Sequence, residues 1–175
     1  MQNHRFFARP LTLAALLAAA TAVLAQIQLP VGPVPFNLAV LGAYLAGMLL
    51  PPLWAVASMG VYLLLGAVGV PVFAGLMGGP AVLFGKTGGY VLGYLAIAAL
   101  TALARTRSAC APVQVLAMAA GLVLCYALGT LWFMALTGAD LAAALGWCVA
   151  PFVLPDAAKA AAAWYLGRAL HRRLR

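Results

Sequence analysis

The sequence predicts an all-α protein that crosses a membrane six times and carries an ordered glycine-rich loop on its outer side. Of its 175 residues, 67% are hydrophobic and only 7% are charged, a composition typical of membrane proteins. A chain of this length accommodates about six spans of about 20 residues with short connections. Its arginines cluster in three places, as they do in cytoplasmic connections. We therefore expect a single integral membrane domain over residues 1–175.

The apolar stretches define the individual helices. We predict spans at residues 11–28, 36–50, 53–70, 88–104, 113–137 and 155–170. The first span also resembles a secretory signal, because Arg5 and Arg9 precede it and Val23-Leu24-Ala25 resembles a cleavage site. Its apolar stretch is long for a signal, and the chain that follows is itself apolar. We expect an uncleaved first helix.

The charges predict the topology. Arg105 and Arg107 share one connection, and the other six arginines lie near the two ends of the chain. Six spans with both termini in the cytoplasm place all eight arginines inside, whereas Lys86 and Asp140 lie outside. We expect a multi-pass protein of the cytoplasmic (inner) membrane. The same arrangement explains the net charge of +8 without nucleic acid as a partner.

Catalytic and metal-ligating groups are scarce. The three cysteines are widely separated, and the two histidines lie near opposite ends of the chain, so no metal or cofactor is expected. The carboxylates of Asp140 and Asp156 make a weak acid/base pair. Gly85-Lys86-Thr87 resembles the end of a phosphate-binding loop, but Pro80 stands where that motif requires its first glycine. We expect no enzymatic activity.

Residues 66–93 hold nine glycines, with Pro71 and Pro80 between them. Both residue types interrupt helices, and irregular backbone at membrane depth survives only inside protein or beside a cavity. An ordered loop that covers a binding site fits this pattern. A flexible outer loop is the alternative, although the apolar segments around Phe73 and Phe84 are unusual for a solvated linker.

Asp156 and Lys159 lie one helical turn apart near the start of the last span. Ionisable groups inside an apolar span are costly unless they pair or face a polar cavity, so they predict a functional site. The alternative is structural: an acid after Pro155 is an ordinary helix start, and Lys159 could extend to the interface.

Four segments follow one another along the chain: Pro33-Val34-Pro35-Phe36, YLLLGAVGVPVFAG at residues 62–75, Gly85-Lys86-Thr87-Gly88-Gly89-Tyr90-Val91-Leu92-Gly93-Tyr94, and Leu154-Pro155-Asp156-Ala157-Ala158-Lys159. In this order they resemble the BioY family, the biotin-specific substrate-binding subunits of energy-coupling factor transporters.

The resemblance implies a protein that captures biotin from outside, with Asp156, Lys159 and Tyr90 at its pocket. The chain departs from the family pattern at Asn37, in a segment where a Thr-Leu-Gln is often found, and at Lys86, where many members have proline.

The chemistry of biotin fits these residues. An ionised Asp156 can accept hydrogen bonds from the ureido N–H groups, and Asn37 can both donate and accept. Lys159 either keeps Asp156 ionised or donates directly to the ligand. Lys86 either binds the tail carboxylate or is a solvated surface charge. Aromatic side chains would pack on the ring and tail; they are Phe73, Phe84 and Tyr90.

The first helix offers a surface for a partner. Ala14, Ala18 and Ala22 recur every four residues, with Ala15 and Ala19 beside them, and small residues let membrane helices approach closely. The resemblance implies that an Ala-x-x-x-Ala surface on this helix docks a transmembrane coupling protein that carries two ATPase subunits.

Two other functions remain open from the sequence. A substrate-binding subunit for another vitamin would share the architecture, and a non-transporting membrane scaffold would share the glycine-rich packing. Competition binding with thiamine, riboflavin and biotin distinguishes a subunit for another vitamin from one for biotin. Absence of vitamin binding would favour the scaffold.

Overall fold

The computed structural model describes residues 3–29 and 34–174. Within these ranges the chain forms eight helices and one two-stranded antiparallel sheet, in which Gln28 pairs with Asn37 and Leu29 with Phe36. The elements are α1 (Asn3–Gln26), β1 (Gln28–Leu29), β2 (Phe36–Asn37), α2 (Ala39–Leu49), α3 (Pro52–Ala67), α4 (Pro80–Leu83), α5 (Gly88–Arg107), α6 (Ala111–Thr137), α7 (Leu141–Cys148) and α8 (Val153–Leu174).

Proline, glycine and aspartate mark several helix ends. Pro52 and Pro80 stand at the first positions of α3 and α4, where the missing N–H costs nothing. Gly138 ends α6 with a φ of +69°, and its N–H donates to the Met134 carbonyl. Asp140 then caps α7 by accepting from the Ala143 N–H at 2.8 Å.

The helix α2 lies at the centre of the fold. It packs against α1, α3, α5 and α8, and α5 in turn lies along α6. Glycine allows these close approaches, because a side chain at Gly42 would overlap Thr21 of α1 and one at Gly93 would overlap Cys125 of α6. Most residues of α2 are consequently buried, as a uniformly apolar helix requires.

The membrane all-α prediction is confirmed, and each of the six predicted spans overlaps a helix. Among the described residues, three helices are long and apolar enough to cross a membrane alone, and α7 with α8 make a fourth span if this bent pair crosses as one. α2 and α3 are shorter apolar helices of 11 and 16 residues. The count of six spans stays a prediction.

Two helices begin at other residues than the predicted spans, and one helix was not predicted. α2 begins at Ala39 rather than residue 36, because residues 36 and 37 pair with β1. α8 begins at Val153, before Pro155, since a proline in the first turn does not break a helix. The segment between the last two predicted spans contains α7, and α7 and α8 meet at an angle of 49°.

The glycine-rich loop is ordered, as predicted. Phe73 and Met77 form an isolated antiparallel bridge, and α4 follows it. Gln26 at the end of α1 fixes this segment, because its Nε2 donates to the carbonyls of Val72 and Phe73 at 3.3 and 3.1 Å, and its Oε1 accepts from the Leu76 N–H at 2.8 Å. One side chain therefore ties the loop to the first helix.

Candidate substrate-binding site

The loop covers a cavity of about 350 Å³, within the roughly 300–1,000 Å³ of small-molecule sites. We call it the loop cavity. A smaller space of about 40 Å³, the ionic cavity, adjoins it and contains Asp156 and Lys159. Both cavities are lined by Val34, Pro35, Asn37, Tyr90 and Tyr94.

Asp156 and Lys159 form a buried ion pair. Lys159 Nζ lies 2.6 Å from Asp156 Oδ1, and the two residues are 6% and 3% exposed. The Tyr126 hydroxyl of α6 donates to Asp156 Oδ2 at 2.6 Å. Both carboxylate oxygens therefore have a donor, as a buried charge requires. The pair is more than a helix start, because it faces a cavity and is bonded to a second helix.

Lys159 also contacts the segment that leads into α2. Its Nζ donates to the Asn37 carbonyl at 2.6 Å and lies 3.9 Å from the centre of the Phe36 ring, a cation–π geometry. Phe36 stacks in turn on Phe152 at 6.5 Å. These contacts satisfy the ammonium group and fix the position of Asn37, whose Oδ1 accepts from the Ala39 N–H at 2.9 Å.

Two tyrosines line both cavities. Tyr90 and Tyr94 lie one turn apart on α5 and both are buried. The Tyr90 hydroxyl lies 3.1 Å from Thr130 Oγ1, and the ring packs against Gly129, where a side chain would overlap it. Glycine at position 129 therefore lets the Tyr90 ring take this position against α6.

The loop side of the cavity combines an aromatic wall with one cation. The Phe73 ring packs edge-on against Tyr62 with centroids 5.5 Å apart, and both residues line the loop cavity. The Phe73 ring also lies against Gly66. Lys86 lines the same cavity and is exposed, so its charge lies where solvent reaches the cavity.

The structure brings together six of the seven predicted ligand residues: Asp156, Lys159, Tyr90, Asn37, Lys86 and Phe73 line one or both cavities. Phe84 does not join them. It is 70% exposed and lies outside the lining of both cavities, because it follows α4 on the outer surface of the loop.

The structure buries two of the three predicted docking alanines. Ala14 and Ala18 are 6% and 3% exposed, because this face of α1 packs on the protein's own helices; Ser58 of α3, for example, donates to the Ala14 carbonyl at 2.8 Å. Ala22 is half-buried. Among the residues of α1 whose burial is described, the exposed alanines are Ala15 and Ala19.

Sequence reasoning missed four residues of the site. Tyr94 follows Tyr90 by one turn, so helical spacing could have found it. Gln26 is a polar residue at the end of an apolar helix, which is also a usable signal. Nothing local distinguishes Tyr62 or Tyr126 from ordinary packing aromatics, since their roles depend on Phe73 and Asp156 from distant segments.

Comparison with known proteins decides the family. A family model described as the BioY family matches residues 1–175. The chain belongs to the BioY family. A probable biotin transporter BioY from Pyrococcus horikoshii is 40% identical over 89% of this chain and 92% of its own length. The biotin transporter BioY2 of Lactococcus lactis is 37% identical over 99% of this chain and 95% of its own length.

A solved structure shares the fold. The S-component for biotin from an ECF-type ABC transporter superposes with a TM-score of 0.89 at 28% identity, covering 98% of this chain and 95% of that one. The BioY-family relatives are named as transporters, which agrees with the expectation that the chain is not an enzyme.

Proposed function

We propose that this protein captures biotin and serves as the substrate-binding subunit of an energy-coupling factor transporter. The observation that carries the proposal is the buried Asp156–Lys159 pair, which lies beside a loop-covered cavity of about 350 Å³ in a BioY-family chain. The relatives named biotin transporters and the biotin S-component of the same fold support the choice of ligand.

The two cavities suggest how biotin binds. The ionic cavity, at about 40 Å³, is too small for a bicyclic ring, whereas the loop cavity has room for it beside Tyr62, Phe73 and Tyr90. The ureido edge then faces Asn37 and the ionic cavity. A carboxylate accepts about four hydrogen bonds, so Asp156 can accept from a ureido N–H while it keeps the donors Lys159 and Tyr126.

The tail carboxylate needs a cation of its own. Asp156 neutralises Lys159 at 2.6 Å, so that lysine carries no unbalanced charge. Lys86 is the cation that lines the loop cavity, and we assign it to the tail.

Transport needs an energy source outside this chain, because its Gly85-Lys86-Thr87 segment lacks the first glycine of a phosphate-binding loop. A transmembrane coupling protein with two ATPase subunits supplies it. The exposed Ala15 and Ala19 of α1 are the docking surface that replaces the buried Ala14 and Ala18. Gln26 joins this same helix to the loop over the cavity.

The orientation follows from the charges. Arg105, Arg168 and Arg172 line one cavity at the opposite end of α8 from Asp156, which supports a cytoplasmic arginine-rich end in the inner membrane. Both termini are then cytoplasmic. Reporter fusions after Arg175 and at Gly138 should lie on opposite sides of the membrane.

The experiment that tests the function is uptake of labelled biotin by cells that lack their own biotin transporter. The chain is produced with and without a coupling protein and its ATPase subunits, and unlabelled biotin, thiamine or riboflavin is added as competitor. We expect uptake with the partners, and competition by biotin alone. Competition by thiamine or riboflavin would assign the chain to another vitamin. If the cells take up no labelled biotin and the purified chain binds none of the three vitamins, a scaffold role would be favoured.

A further inference from the structure

A second polar cavity, of about 270 Å³, lies at the end of the helices opposite to Asp156. We call it the arginine cavity. Its wall includes three arginines and one histidine, contributed by α5 and α8. The lining residues are Met48, Arg105, Ala109, Gln114, Gly167, Arg168, His171 and Arg172.

Among the described residues, no side-chain carboxylate pairs with Arg168 or Arg172 of the arginine cavity. The sequence contains two acidic residues. Asp156 is paired with Lys159 near the other end of α8, and Asp140 caps α7. Arginine stays charged under all ordinary conditions, so a ligand for this cavity is an anion.

Two of the guanidinium groups are fixed in place. Arg105 Nη2 donates to the Leu50 carbonyl at 3.0 Å and its Nε to the Gly47 carbonyl at 3.4 Å, at the end of α2. The Arg168 guanidinium lies 4.6 Å from the centre of the Trp164 ring. Arginine forks held in this way are suited to bidentate contacts with phosphate.

Two buried polar atoms beside the arginines lack partners among the described residues. Gln114, 6% exposed, donates from Nε2 to the Ser108 carbonyl at 2.8 Å, but its Oε1 has no donor. Trp164 Nε1 has no acceptor. Such orphaned groups call for an external partner: a hydroxyl or N–H for Gln114 and a carbonyl for Trp164.

An apolar groove continues from this point. It holds about 350 Å³ between α2, α6 and α8. Trp164 belongs to its wall. The groove starts one residue from the arginine cavity on α6, at Val115, and one helical turn from Arg168 on α8, at Trp164. A charged cavity, an orphan N–H and an apolar groove thus follow one another in the order of a phospholipid's head group, ester carbonyl and acyl chain.

We propose that this site binds an anionic phospholipid whose head group carries a free hydroxyl, such as phosphatidylglycerol. The phosphate contacts Arg168 and Arg172, and the head-group hydroxyl donates to Gln114 Oε1. The ester carbonyl accepts from Trp164 Nε1, and an acyl chain fills the groove. Basic pockets between transmembrane helices bind anionic lipids in this manner. The inference rests on the membrane fold and is independent of the proposed substrate.

The test is lipid binding to the purified full chain in detergent, followed by native mass spectrometry and thermal unfolding. Phosphatidylglycerol should bind with one-to-one stoichiometry and raise Tm, whereas phosphatidylethanolamine with the same acyl chains should do neither. Arg168→Gln with Arg172→Gln should weaken phosphatidylglycerol binding roughly 30-fold, about fivefold for each charge removed. The matched control is Arg107→Gln with Arg173→Gln, which removes two exposed charges outside the cavity lining and should leave binding unchanged.

The head-group hydroxyl has its own test. Phosphatidylmethanol carries the same phosphate charge but no free hydroxyl, so the wild type should bind it more weakly than phosphatidylglycerol. In Gln114→Leu this preference should disappear. An equal affinity of the wild type for both lipids would overturn the role of Gln114.

Three results would overturn the proposal as a whole. Equal weakening in the two arginine pairs would reduce the effect to general surface charge. Displacement of the lipid by inorganic phosphate or glycerol 3-phosphate at equal concentration would make the cavity a site for a free phosphate. Absence of lipid and phosphate binding, with loss of coupling-protein capture in the Arg168/Arg172 variant alone, would make it a protein interface.

Discussion

Tyr126 of α6 donates a hydrogen bond of 2.6 Å to Asp156 of α8, on the oxygen that Lys159 leaves open. This contact joins two helices at the ionic cavity and gives the second oxygen of the buried Asp156 carboxylate a donor. It also aligns Asp156 for a ligand, because a carboxylate held from two sides has little freedom to turn away.

Tyr126→Phe removes that donor while it keeps the ring. A hydrogen bond to a charged group contributes about 1.5–3 kcal/mol, so we expect a lower Tm and weaker biotin binding, both measured on the detergent-purified protein. Tyr165→Phe is the matched control, because Tyr165 is 69% exposed and lines neither the loop cavity nor the ionic cavity. Equal Tm values in the two variants would show that the contact contributes nothing.

Gly66→Ala should disturb the aromatic wall of the loop cavity. A Cβ at position 66 would overlap the Phe73 ring, so Phe73 must move from its place beside Tyr62, and we expect a faster dissociation of biotin. Gly60→Ala on the same helix is the control, since a Cβ there meets nothing within 4 Å, and helix propensity favours alanine by about 1 kcal/mol. If both variants release biotin at the wild-type rate, the position of the Phe73 ring does not control biotin dissociation.

Lys86→Gln tests the assignment of the tail carboxylate. An exposed ion pair contributes about 0.2–1 kcal/mol, so the variant should bind biotin up to about fivefold more weakly. Its affinity for biotin amide, which has no charge on the tail, should stay at the wild-type value. Equal weakening for the two ligands would mean that Lys86 supports the loop and does not read the carboxylate.

Ala15→Trp with Ala19→Trp should separate binding from transport. The two side chains are exposed on α1, outside the lining of both cavities, so biotin affinity should be unchanged. Co-purification with the coupling protein and ATP-driven uptake should be lost, because bulk prevents close helix approach. Ala14→Trp with Ala18→Trp should instead lower Tm, since both positions are buried. Normal uptake by the Ala15/Ala19 variant would place docking elsewhere.

The sequence alone predicts a site residue where that residue type is rare in the surrounding chain. Asp156 and Lys159 stand out in an apolar chain, and the structure brings them together at 2.6 Å. The sequence could not show which face of α1 is buried, because alanines at positions 14, 15, 18 and 19 occupy both of its faces. Packing against α2 and α3 decides which pair is buried. The role of Tyr126 could not be predicted either, since its partner Asp156 lies 30 residues away in the sequence.

The central claim is that biotin binds beside Asp156, and calorimetric titration of the purified protein with biotin tests it most directly. We expect saturable one-to-one binding by the wild type. Asp156→Asn keeps the size and removes the charge, so it should weaken binding by roughly 1.5–3 kcal/mol, about 10- to 150-fold. Asp140→Asn, at the exposed cap of α7, should bind like the wild type. A folded wild type without saturable heat, or a folded Asp156→Asn with unchanged affinity, would contradict the account.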